Sequence, residues 1–237
     1  MTIKNINSSC AKTTKIKKKA TIDDGMNPEL VSGARFDGFL EIPFIENDAN
    51  IAIPKRLVPF SQRLKYREGD AICFYEHDVK FSDILVNPEK YLEELKGKTV
   101  ISPDFSLYIN APLAVQVANV YKNRAIGSYF QRNGVKVIPN IRWGGRWTFT
   151  KDVLPEKVAF LGIDKGTMIS IGTYGCIQGK DNKHIFAEGL SAAIKTIEPK
   201  AILVYGSMPE SVFNQFVNKT IFIHYRDWIS YCKGGNN

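Results

Sequence analysis

Residues 99–149 read TVISPDFSLYINAPLAVQVANVYKNRAIGSYFQRNGVKVIPNIRWGGRWTF. Val100 and Ile101 open a short apolar strand that stops at Ser102-Pro103-Asp104, because proline cannot donate to a strand ladder. Asn110 is the expected N-cap of a long helix with Pro112 in its first turn, where a missing N–H costs little. Leu113, Val117, Val120, Tyr121, Arg124, Ile126 and Phe130 recur at spacings of three and four, the pattern of an amphipathic helix. Gly134 follows as the residue just past its end. Val135, Val137 and Ile138 form a second strand, which ends at Pro139 and runs into Asn140, Arg142, Trp143, Gly144, Gly145, Arg146 and Trp147.

Strand, helix and strand in succession form a βαβ unit, with parallel strands and a right-handed crossover. In such units function sits beyond the carboxyl ends of the strands. Those ends carry Asp104, Ser106 and Tyr108 on one side and Asn140, Arg142, Trp143 and Arg146 on the other. Individually such residues also anchor loops. As a group they mark a candidate site.

The pattern repeats outward from this unit. Apolar strands are expected at 71–75, 168–171, 201–205 and 221–223, and helices at 81–95, around 156–160, at 182–197 and at 209–217. Phe39 to Phe44 reads as an entry strand broken by Pro43. Residues 51–67 read as a surface loop closing one end of the core. The alternation predicts an α/β fold with a mostly parallel sheet of about six or more strands. Two closures fit: an incomplete (β/α) barrel or an open doubly wound sheet. The barrel-like form is favoured because functional-looking residues follow nearly every strand end.

The chain of 237 residues suits one α/β domain over 26–232, preceded by a basic arm over 1–25 and followed by a frayed end over 233–237. Its 44% apolar and 11% aromatic content is that of a globular protein. No apolar run is long enough to span a membrane, and the first residues hold no apolar signal-peptide core, so a cytoplasmic location in a bacterial host is expected. The net charge of +8 favours acidic partners. Half of it comes from the arm, where six lysines face Asp23 and Asp24. Cys10, Cys73, Cys176 and Cys232 are far apart and lack the clustered spacing of a zinc site, so free thiols are expected. Cys176, beside Gly175 at a strand end, is the one to test for reactivity.

The segments FYEHDVKFSDILVNPEKYLEEL, VISPDFSLY, GVKVIPNIRWGG, ISIGTYGCI, FAEGL and ILVYGS together resemble the family catalogued as domain of unknown function 4417, over about Ile42 to Arg226. The resemblance implies a protein of phages, prophages or other mobile elements, acting in replication, genome maintenance or interference with host defence. The chain departs from the family pattern in having Glu76-His77-Asp78-Val79 where paired acids and an aromatic are common, and Gly145 where an acid is common.

Three chemistries are compatible with the strand ends. One is a pocket for a nucleotide or nucleic acid: Thr173, Tyr174, Tyr205 and Ser207 lie at glycine-containing strand-to-helix turns that expose backbone N–H groups, Arg142 and Arg226 supply bidentate cations, Asn140, Ser106 and Tyr108 add polar contacts, and Trp143 or Tyr174 stacks a base. A basic-aromatic patch of Lys55, Arg56, Arg63, Lys65 and Arg67 among Phe60 and Tyr66 suits the same partner. The second is metal-dependent hydrolysis or nuclease chemistry, with Glu76, Asp78 or Asp104 holding a divalent ion and His77 or His224 as base. The third is a module that grips a host protein with no chemistry. No dinucleotide or P-loop glycine motif and no metalloprotease motif is present.

Overall fold

The computed structural model describes residues 26–234. The basic arm and residues 235–237 lie outside the described residues. The chain opens with an antiparallel hairpin, β1 (Phe36–Asp37) and β2 (Ile42–Pro43). Four strands follow, β3 (Leu57–Pro59), β4 (Ala71–Cys73), β5 (Thr99–Ile101) and β6 (Lys136–Ile138), paired in that order and all parallel. A second parallel sheet holds β7 (Met168–Gly172), β8 (Ala201–Tyr205) and β9 (Ile221–Tyr225). The helices are α1 (Asp83–Val86), α2 (Glu89–Leu95), α3 (Leu113–Arg132), α4 (Gly179–Ile197), α5 (Glu210–Phe213) and α6 (Trp228–Gly234).

A single parallel bridge, Asn140 to Ser170, joins the two sheets. There the Ile141 N–H donates to the Ser170 carbonyl at 2.8 Å, and the Ser170 N–H to the Pro139 carbonyl at 2.9 Å. Strand order therefore follows chain order without the reversal that defines a doubly wound sheet. The arrangement is barrel-like but not closed. Among the described residues no ladder joins β9 to β3. The Tyr225 hydroxyl reaches the Pro54 carbonyl at 2.6 Å, and α6 packs against β3.

Alternation along each strand sorts side chains into separate cores. Ala71, Cys73, Tyr75, Ile101, Ile138, Met168, Leu203 and Tyr205 form one inner cluster. Ile72, Phe74, Val100 and Val137 join the Ile126 and Phe130 face of α3. Ile169, Ile171, Ile202 and Val204 join Leu190, Ala193 and Ile194 of α4. Strands buried on both faces read as continuous apolar runs, which is why they were legible in sequence.

Several local expectations need correction. Helix α3 begins at Leu113 with Pro112, not Asn110, as its cap. Gly134 does follow the helix, at φ +84°. Residues 51–67 are not all loop: they hold β3, an edge strand that tolerates its proline. The expected helix over 81–95 is split at Asn87, which precedes Pro88 and takes φ −127°, ψ 57°. Only one 3₁₀ turn, Val158–Phe160, forms near 156–160. The carbonyls of Ala159 and Leu161 accept from Arg124 instead of continuing a helix. Helix α6 was not expected.

Candidate functional site

All seven parallel strands end on one rim, and Asn140 lies at its centre, fully buried. Its Nδ2 donates to Asp104 Oδ1 at 2.8 Å and to the Pro103 carbonyl at 3.1 Å. Its backbone N–H donates to Ser102 Oγ at 2.8 Å. The Tyr75 hydroxyl lies 3.1 Å from Asn140 Oδ1 and 2.6 Å from Ser170 Oγ. The Tyr75 ring stacks on that of Tyr205, with centroids 5.1 Å apart. Residues of β7 and β8 and residues just past the ends of β4, β5 and β6 thus meet in one polar plug across the mouth.

Arg142 sits on this plug. Its Nη2 is 3.5 Å from Asp104 Oδ2, and its Nη1 donates to the Gly172 carbonyl at 3.3 Å and contacts Cys176 Sγ at 2.9 Å. Its Nε is buried and has no hydrogen-bond partner. Burial opposes the charge on Arg142, but Asp104, Cys176 and Tyr75 outweigh it and hold the guanidinium charged. Burial raises the pKa of Asp104 from its ordinary value, against the pull of Arg142 and Asn140. Burial likewise pushes the Cys176 thiol up despite Arg142, so it is protonated at neutral pH.

The remaining candidates fall into distinct groups. Asp78 accepts from the hydroxyl and the N–H of Ser106, at 2.9 and 3.2 Å. Glu76 accepts from the N–H and hydroxyl of Ser61 at 2.7 and 2.5 Å and faces Lys80 at 3.4 Å. His77 is exposed. His224 Nε2 is 2.6 Å from the Gly206 carbonyl. Among the described residues no group of three or more His, Cys, Asp and Glu side chains is placed to hold a metal ion. The acids singled out for metal binding are instead each tied to a separate partner.

Thr173 is buried and donates to the Tyr205 carbonyl at 3.2 Å. Trp143 is buried against α4: its ring is 4.9 Å from that of Phe186, and a Cβ on Gly189 would lie 2.2 Å from its Nε1. Tyr108, Tyr174, Ser207 and Arg226 are exposed. In the basic patch, Arg56 pairs with Asp70 at 2.5 Å and Arg63 with Glu94 at 3.0 Å, while Lys55, Lys65 and Arg67 are exposed. Arg56 also stands 5.6 Å from the rings of Trp228 and Tyr231.

Sequence reading missed the supports of this site. Arg124, 1% exposed, donates to the carbonyls of Asn140, Ala159 and Leu161 at 2.7, 3.1 and 3.0 Å. Burial lowers its pKa to about 10. Asn123 brackets Phe105, accepting from its N–H at 2.7 Å and donating to its carbonyl at 3.2 Å. Gln116 donates to the Ala111 carbonyl at 2.7 Å and accepts from the Gly145 N–H at 2.9 Å. One face of α3 therefore holds the loops after β5 and β6. The sequence signal was polar residues at inward helical positions: Arg124 fell within the periodic stripe, whereas Gln116 and Asn123 lay outside it.

These features define a class: an open α/β barrel whose strand ends are plugged by polar side chains around one buried arginine. The chain belongs to the family Domain of unknown function (DUF4417), whose model matches residues 34–226. It is 33% identical over 143 residues to the Gene 1 protein of Mycobacterium phage L5, covering 60% of this chain and 59% of the phage protein. It is 30% identical over 141 residues to the Gene 1 protein of Mycobacterium phage D29, covering 59% and 50% respectively. The matches thus span between half and three-fifths of these relatives. No solved structure matches the chain. No helix among the described residues is long and apolar enough to cross a membrane.

Proposed function

We propose that this protein of a phage family binds a nucleotide or nucleic acid at the strand-end mouth, with Arg142 as the anion contact. The observation that carries the reading is the Arg142 guanidinium: it stands at the mouth in a loose 3.5 Å pair with Asp104 and keeps a buried, unpartnered Nε. A buried donor without a partner is costly, and an anion at the mouth draws on that donor. Tyr174 and Tyr108, at 70% and 66% exposure, offer faces on which a base can stack. Arg226 and Ser207 lie exposed on the same rim.

The test is binding of labelled single- and double-stranded DNA and RNA, and of nucleoside triphosphates, to the full chain across a salt series. Arg142→Ala is a poor probe, because it leaves Asp104 buried without its cation. The pair Asp104→Asn with Arg142→Gln removes both charges together. The reading expects binding that weakens with salt and is lost in the double variant. Binding that the double variant retains in full overturns it. Absence of all binding overturns it too, and directs the search to a host protein as partner.

A further inference from the structure

A pocket lies outside the barrel, and nothing in the reading of the mouth draws on it. Its volume is about 400 Å³, within the range of roughly 300–1,000 Å³ that small-ligand sites occupy. One wall is a single stripe of α4, Glu188, Ser191, Ala192 and Lys195, at helical spacings of three and four. The opposite wall is the segment after β6 with Arg146, Phe149, Thr150 and Lys151, closed by Lys157.

The charge of this lining is lopsided. Four cations, Arg146, Lys151, Lys157 and Lys195, face one carboxylate, Glu188. Among the described residues Lys151 and Lys195 have no ion-pair partner, and both are exposed. Arg146 reaches Glu188 Oε1 only at 3.6 Å, and His184 shares that oxygen at 3.5 Å. Cations gathered around a concave surface focus potential and draw an anion in.

The floor asks for something more than charge. Glu188 Oε2 and Thr150 Oγ1 are both buried and both lack a hydrogen-bond partner. A buried carboxylate oxygen without a donor is costly, and the terminal torsion of Glu is soft enough to turn that oxygen toward a ligand. A carboxylate repels phosphate but accepts from hydroxyl groups. The lining therefore suits one molecule with two parts: an anionic group for the lysines and a hydroxyl-bearing body for Glu188 and Thr150. We infer that this pocket binds a phosphorylated sugar, free or as part of a nucleotide, with its phosphate at Lys151, Lys195 and Arg146 and its hydroxyls at Glu188 and Thr150.

The test is calorimetric titration of the full chain with ribose 5-phosphate, adenosine monophosphate and inorganic phosphate. Five proteins are compared: wild type, Lys151→Glu with Lys195→Glu, Glu188→Ala, the mouth variant Asp104→Asn with Arg142→Gln, and a control with Lys136→Glu and Lys200→Glu. The control makes the same change in net charge at two lysines that do not line the pocket, at the start of β6 and just before β8. Binding of ribose 5-phosphate is expected to fall at least tenfold in the first pair and to hold in the control. Glu188→Ala is expected to lower the preference for ribose 5-phosphate over inorganic phosphate several-fold, a ratio that cancels the change in charge. The mouth variant Asp104→Asn with Arg142→Gln is expected to leave ribose 5-phosphate binding unchanged, which separates failure here from failure at the mouth. The inference is overturned if neither sugar phosphate binds, if the two charge-reversed pairs behave alike, or if inorganic phosphate binds as tightly as ribose 5-phosphate. Nucleotide binding without ribose 5-phosphate binding, lost in Lys151→Glu with Lys195→Glu and kept in the mouth variant, supports the nucleotide as the source of the sugar phosphate.

Discussion

The barrel mouth and the pocket beside α4 are both rich in basic and polar side chains, yet they are built in opposite ways. At the mouth the groups are buried and answer one another: Asp104 meets Arg142 and Asn140, and Tyr75 meets Asn140 and Ser170. In the pocket the cations are mostly exposed and outnumber their one carboxylate. Desolvated charges depend on their partners, whereas solvated ones leave their field available to a ligand. Mutations at the mouth should therefore act first on stability, and mutations in the pocket on binding.

The largest effect should come from Arg142→Ala. It strands a buried aspartate and should lower the unfolding free energy by about 3–5 kcal/mol in urea titrations. The double variant Asp104→Asn with Arg142→Gln should recover most of that loss. If both proteins are equally destabilised, the pair is not what holds the mouth. Tyr75→Phe should follow, at about 1–3 kcal/mol, because it removes the hydroxyl that Asn140 and Ser170 share.

Asp104 also predicts a pH dependence. Its folded pKa is raised, so the folded state keeps the proton to higher pH than the unfolded chain, whose Asp titrates near about 3.9. The stabilisation this provides is present below that value and is lost as pH rises through the folded pKa. Asp104→Asn cannot lose it. Its stability relative to wild type should climb with pH above about 4 and then level off. A difference that is flat across that window would show that burial does not govern this group.

Smaller effects sharpen the comparison from the other side. Lys151→Glu with Lys195→Glu should change stability by no more than about 0.5 kcal/mol per site, the usual range for exposed positions, even where ligand binding is lost. Thiol labelling should also separate buried from exposed chemistry. Among the described cysteines, Cys232 is exposed and should react with iodoacetamide first, while Cys176, held protonated by burial, lags at neutral pH. Faster labelling of Cys176 would mean that the loop over Arg142 opens readily.

Much of the fold was legible because its elements are locally regular. The apolar runs expected at 71–75, 100–101, 168–171 and 201–205 hold β4, β5, β7 and β8, and 182–197 became most of α4, whose inward positions Leu190, Ala193 and Ile194 are all apolar. Helix α3 was harder. It buries Gln116, Asn123, Arg124 and Ser128 among its apolar residues, and three of these side chains bond to loop backbone far along the chain. Local pattern cannot announce a hydrogen bond whose partner lies in another loop. For the same reason Arg142, Asp104 and Asn140 were found as candidates by their position after strands, while their mutual bonding was not.

Composition and period therefore determined the class of this protein: strands and helices in alternation, a parallel sheet, and polar residues just past the strand ends. Hydrophobic burial works through local periodicity, so one dimension carries it. Tertiary structure alone decided that strand order runs without reversal into an open barrel, that Trp143 turns away from the mouth to α4, and that Lys151, Lys157 and Lys195 gather around Glu188. Those outcomes depend on which distant groups can satisfy one another's charge and hydrogen bonds in three dimensions, and spacing along a chain does not encode that distance.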